Sequence, residues 1–122
     1  MDSDAKRYGM NDAQAEAHLL LVDDDLLMRS MAARTLRHAG FDVQDAESGE
    51  DALVQFKQHS HDLNLLDVMM PGIDGYEVCQ RIRAMAHGAR VPILMLTGLN
   101  DTGSIELAYR HGATDSITKP IN

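Results

Sequence analysis

With 122 residues, 44% of them hydrophobic, the chain can build one domain with a real core and has no room for a second. A formal charge of -8, from 19 acidic against 11 basic residues, excludes a nucleic-acid surface, which needs a clustered basic face, so any DNA-directed output lies outside this chain. The single cysteine, Cys79, excludes a disulfide framework or a Cys-based zinc site and fits a reducing cytoplasm, and no apolar run approaches the roughly 18 residues that would cross a membrane.

Residues 1–17 are polar, lack the apolar core of a signal peptide and read as a flexible leader, so the domain is placed at 18–122. HLLLV at 18–22 is a first strand, closed by the acidic triplet Asp23-Asp24-Asp25. Leu27, Met28, Met31, Ala32, Leu36 and Ala39 then recur at helical spacing up to Gly40, a C-terminal stop. FDVQDA at 41–46 is a half-polar second strand, and Ser48 with Asp51 three residues on opens a second helix through Ala52, Leu53 and Phe56. DLNLLDV at 62–68 is the third strand, followed by the loop MMPGIDG and a helix from Tyr76 to Met85. VPILML at 91–96, a helix from Asp101 to His111 and TDSIT at 114–118 complete the pattern.

Short apolar strands alternating with helices predict a doubly wound α/β fold, a parallel sheet covered on both faces, with right-handed crossovers. The sequence ends just after strand five, so a final helix is missing from the repeat and an apolar strip is expected to be exposed. Either the protein continues, or the domain was cut, or another chain supplies the cover; aggregation or a homodimer is the expectation for the chain as written.

In such a sheet, ligands bind at the carboxyl ends of the strands. Asp23 and Asp24 end strand one, Asp67 strand three, Thr97 strand four and Lys119 strand five. Three carboxylates close together repel unless a cation intervenes, and an all-oxygen donor set suits Mg²⁺, which completes its shell with water and phosphate oxygens. The Thr97 hydroxyl and the Lys119 ammonium are the donors that a transferring phosphoryl group needs. Any one of these residues alone would read as a helix cap or a solvated loop residue; five at the same end of four strands point to a magnesium–phosphoryl site.

Residues 18–122 closely resemble the receiver domains of bacterial response regulators, in LLLVDDD, DLNLLDVMMPGIDGYE, VPILMLTG and GATDSITKP. The resemblance implies a five-stranded sheet in the order 2-1-3-4-5 and a signalling switch, rather than an enzyme, phosphorylated by a sensor histidine kinase or phosphotransfer protein. It implies that Asp67 is the phosphoacceptor, Asp24 a direct Mg²⁺ ligand, Asp23 a ligand through water and the Met69 carbonyl a third protein ligand. Thr97 and Lys119 would contact the phosphoryl group, Pro71, Gly72 and Gly75 would shape the loop after the acceptor, and Lys119-Pro120 would be a cis peptide. The ending GATD-x-I-x-KPIN resembles receivers fused to cyclic-dinucleotide signalling domains or found in hybrid kinases, so a C-terminal output domain outside this chain is expected.

Two departures stand out. The family's aromatic residue three positions before the lysine, which moves inward with the threonine, is Ser116 here, and an aliphatic position in strand three is Asn64, read as structural. A metal-dependent phosphohydrolase with an aspartyl phosphate would need an acid two residues after the nucleophile, where this chain has Met69. A degenerate receiver, kept only for protein interaction, is disfavoured by the intact Asp24, Asp67, Thr97 and Lys119. Cys79 reads as a packing residue and the methionines as core filler. His18, His38, His59, His61, His87 and His111 each read as solvated surface histidines.

Overall fold

A computed structural model describes residues 17–59, 61–98 and 104–119. The sheet comprises β1 (His18–Val22), β2 (Asp42–Ala46), β3 (Leu63–Asp67), β4 (Ile93–Thr97) and β5 (Asp115–Thr118), all parallel, in the spatial order β2-β1-β3-β4-β5. Between them run α1 (Leu26–His38), α2 (Gly49–Gln58), α3 (Gly75–Ala84), a 3₁₀ turn (Ala86–Gly88) and α4 (Ser104–Arg110). The α/β class is the one that the pattern predicts, and the strand order is the one that the resemblance implies.

The central strands are apolar without alternation because both faces are covered. Leu20, Val22, Leu66, Ile93 and Met95 pack with Phe56, Val78, Ile82 and Ala108 of α2, α3 and α4. Leu19, Leu21, Val43, Leu65 and Leu96 pack on the opposite face against Ala33 of α1. On that second face the cover thins toward β5, where Ile117 is 37% exposed. No helix among the described residues is long and apolar enough to cross a membrane.

Each of the first three helices starts on a side-chain cap: Asp25, Ser48 and Asp74 accept from the backbone N–H groups of Met28, Asp51 and Glu77. α1 ends as its glycine predicts. Gly40 sits at φ 103°, its N–H bonding the Arg37 carbonyl while that of Phe41 bonds Leu36. Phe41 has thus spent its donor on the helix, so β2 begins one residue later than the apolar pattern implied.

β4 likewise begins at Ile93 rather than Val91, since Pro92 has no N–H to give the ladder. Here Arg83 donates to the carbonyls of Gly88, Val91 and Gly112, tying α3 to the turns that lead into β4 and β5. The 3₁₀ turn was not legible in the pattern. It needs Gly88, where a Cβ would lie 2.0 Å from the Ile82 carbonyl oxygen. The expected helix over 101–111 is seen from Ser104 to Arg110; 101–103 lie outside the described residues, as do 1–16 and the Lys119-Pro120 bond.

Several expectations about single residues are corrected. His61 is not a surface histidine: it is 2% exposed, its Nε2 facing the Gln44 side-chain oxygen and its ring near Phe56. His87, though exposed, stacks on Phe56 with ring centroids 4.8 Å apart. Met69 and Met31 are 71% and 58% exposed, so these two are not core filler. Cys79 is fully buried, with its thiol pushed up to about 11 by that burial, in keeping with packing. Asn64 is buried, its amide donating to the Pro92 carbonyl at 3.2 Å.

Burial, then the charges of His59 and His18, lowers the His61 pKa to about 4. The unfolded chain takes up this proton near pH 6.5 and the folded chain resists it, so stability is intact above 6.5 and lost as pH falls toward 4. His61→Phe, which cannot titrate, should therefore gain on wild type as pH falls through this window, by up to about 3 kcal/mol at the acid end. A pH-independent difference between their melting temperatures would show that the imidazole is not carrying the acid limb.

Candidate functional site

The carboxyl ends of β1, β3, β4 and β5 bring the polar residues into one cleft. Asp23 follows β1 at 3% exposure, Asp67 closes β3 at 3% and Thr97 closes β4 at 6%, while Asp24 is exposed. One carboxylate oxygen from each of Asp23, Asp24 and Asp67 lies within 4.8 Å of the others, the one group of this kind among the described residues. Lys119 reaches in from the end of β5 and donates from Nζ to Asp67 Oδ1 at 3.0 Å. Its backbone N–H is anchored on the Thr97 carbonyl at 2.7 Å.

Burial pushes the Asp67 carboxyl up to about 6, and the adjacent Asp23 carboxylate adds to this, so the hydrogen bond from Lys119 offsets it only in part. Burial alone would lower the Lys119 pKa; the hydrogen bond and charge of Asp67, helped by Asp23 and Asp24, raise it instead. The site therefore carries more negative charge than its single lysine can balance. An all-oxygen donor set with one exposed member fits a hard divalent cation of the Mg²⁺ type, reached from solvent.

The Thr97 hydroxyl is held by the neighbouring strand. It donates to the Ile117 carbonyl of β5 at 3.4 Å, a long bond that a better acceptor could displace. Ser116, paired with Met95, is half-buried on the α3–α4 face of the sheet. Met69, two residues after Asp67, turns its side chain to solvent. Gly75 packs directly under Asp67, its N–H bonding the Val68 carbonyl.

Two contributors were missed from sequence. Asp25 caps α1 and its N–H holds Asp23 Oδ1 at 3.0 Å, a role that an aspartate just before a helical run does signal. Arg29 lies against the same loop with no sequence signal, since an arginine on a helix ordinarily reads as solvated.

Residues 19–122 match the family model described as the response regulator receiver domain. The transcriptional regulatory protein AfsQ1 of Streptomyces coelicolor is 42% identical over 103 residues, 84% of this chain and 44% of that protein. A solved structure from Chloroflexus aurantiacus, described as a response regulator, superposes with a TM-score of 0.84 at 40% identity, over 88% of both chains. The chemotaxis protein CheY4 of Vibrio cholerae gives 0.84 at 34% identity, over 88% of this chain and 90% of that one. The chain thus spans less than half the length of the curated relatives it matches.

Proposed function

The chain belongs to the response regulator receiver domains, and on that footing we propose that it works in the cytoplasm, where Asp67 takes a phosphoryl group from the phosphohistidine of a sensor histidine kinase or phosphotransfer protein. Asp23, Asp24, Asp67 and the Met69 carbonyl would hold Mg²⁺, which would screen the negative charge shared between acceptor and phosphoryl oxygens. The observation that carries this reading is the convergence of two further carboxylates, Asp23 and Asp24, and one lysine on the buried Asp67 at the sheet's carboxyl edge.

In the transfer, an Asp67 carboxylate oxygen forms the new bond to phosphorus as the P–N bond to the donor imidazole breaks, and the imidazole leaves with the bonding pair. Lys119 exchanges its hold on Asp67 Oδ1 for a phosphoryl oxygen, and the Thr97 hydroxyl leaves the Ile117 carbonyl for another. The phosphohydrolase alternative has no support, because no acid stands at Met69. Output would reside in a segment beyond these residues, and a second copy is one candidate cover for the Ile117 side of the sheet. The reading is tested by incubation with a small phosphodonor and Mg²⁺, followed by intact-mass measurement of wild type and Asp67→Asn.

The aspartyl phosphate should be long-lived and its structural readout muted. In-line hydrolysis needs an oriented water, and the thioether of Met69 orients none; Met69→Asn should shorten the lifetime by about tenfold or more, toward the ~10²-fold typical of well-placed assistance. Ser116 is too small to fill the space left by Thr97, so the two states should differ little in packing. Phosphorylation should alter amide exchange on β4 and β5 more in Ser116→Phe than in wild type. A wild-type phosphate that decays as fast as that of Met69→Asn removes the first expectation, and equal exchange responses remove the second.

A further inference from the structure

The carboxylates that face the cation have a scaffold of their own. The Asp23 N–H is bonded to the Ala46 carbonyl at 3.1 Å, and the Asp23 carbonyl accepts from Arg29 Nη1 at 2.8 Å. Arg29 Nε meanwhile donates to Asp45 Oδ2 at 3.0 Å, with the arginine side chain only 11% exposed. Both peptide groups of Asp23 are thereby pinned to β2, one directly and one through the guanidinium. Asp24, exposed and directly attached, inherits that restraint. A guanidinium can make these two bonds at once because its donors are fixed in a plane; an ammonium on a lysine stem cannot span them.

We infer that Arg29 is a positioning residue for the cation site, setting the Asp23–Asp24 pair by clasping the Asp23 carbonyl from an anchor on Asp45. The inference rests on the proposed Mg²⁺ site. Its sign is what makes it testable: as a bare positive charge beside three carboxylates, Arg29 would weaken cation binding, whereas as a clasp it strengthens it.

The test is Mg²⁺ titration by calorimetry of the folded, unphosphorylated protein, with circular dichroism confirming the fold of each variant. Arg29→Ala should raise the Mg²⁺ Kd about tenfold, within the range seen when residues that orient metal ligands are removed. Arg29→Lys, which keeps the charge and loses the two-point clasp, should also weaken binding, and it covers the case in which the alanine variant does not fold. Phosphorylation by a small phosphodonor should return to nearly the wild-type rate at saturating Mg²⁺ in either variant. Unchanged or tighter Mg²⁺ binding, full restoration by lysine, or a rate defect that saturating Mg²⁺ does not repair would each overturn the inference. Failure of the wild type itself to bind Mg²⁺ would instead overturn the reading of the site.

Discussion

Asp67→Asn should lose all covalent phosphate and yet melt at a higher temperature than wild type at pH 7 in the absence of Mg²⁺. The loss follows from removing the proposed acceptor carboxylate, the one that Lys119 holds. The gain follows from the cost of a buried carboxylate. In the folded protein the Asp67 pKa is raised from 3.8 to about 6, chiefly by burial. The folded state thus holds this proton more tightly than the unfolded chain, so stability falls as pH rises from about 4 through 6 and the deficit is fully present at pH 7.

A shift of this size corresponds to about 2–3 kcal/mol, and the amide of asparagine avoids it while still offering Lys119 an oxygen. The difference should vanish below pH 4 and shrink when Mg²⁺ stabilises the wild type alone by mass action. Thermal melts at pH 4 and 7, with and without Mg²⁺, read this directly. Equal stability of the two proteins at pH 7 without Mg²⁺ would mean that burial does not disfavour the Asp67 carboxylate. Because His61 titrates in the opposite sense over an overlapping range, each variant must be compared with wild type at the same pH.

Gly75→Ala should destabilise the fold by about 3 kcal/mol, at the upper end of overpacking penalties, and slow phosphorylation of whatever remains folded. A Cβ at this position would lie 2.3 Å from the Asp67 carbonyl oxygen and 2.8 Å from Met95 Cε. The methionine can yield, but the carbonyl belongs to the last residue of β3, whose side chain is the proposed acceptor, so relief must move Asp67 itself. A displacement near 1 Å can cost about 10²-fold in rate. Gly88→Ala is the control, since its Cβ would meet backbone at the far edge of the domain, 2.0 Å from the Ile82 oxygen. It should lose comparable stability while its folded fraction phosphorylates normally. Urea unfolding and phosphorylation rates on both variants separate the effects; equal rate losses would show that the close packing under Asp67 has no bearing on chemistry.

What was legible in the sequence follows from local physical rules. β1 and β4 could be recognised because a strand buried on both faces must be apolar throughout, and α1 and α2 because Ser48 and Gly40 mark ends that backbone hydrogen bonding requires. The site was legible through a topological regularity: in a parallel sheet every strand points its carboxyl end the same way, so Asp23, Asp67, Thr97 and Lys119 had to share one edge. The order β2-β1-β3-β4-β5 came through the family resemblance, since periodicity does not specify which strands are neighbours.

By itself, then, the sequence determined which segments are strands and helices, and that a carboxylate-rich site lies at one end of the sheet. Only the tertiary structure decided depth and partnership. Phe41 and Val91 fall outside their strands because Phe41's donor goes to α1 and Pro92 offers none. His61 is buried because Phe56 and Gln44 close over it, the latter 17 residues away in sequence. Arg29 and Arg83 matter because their acceptors, 16 and 29 residues distant, arrive beside them only when the chain folds. Periodicity reports the face on which a residue stands; what waits opposite that face depends on long-range contacts, and these determine whether a polar side chain is solvated, buried or holding a functional loop in place.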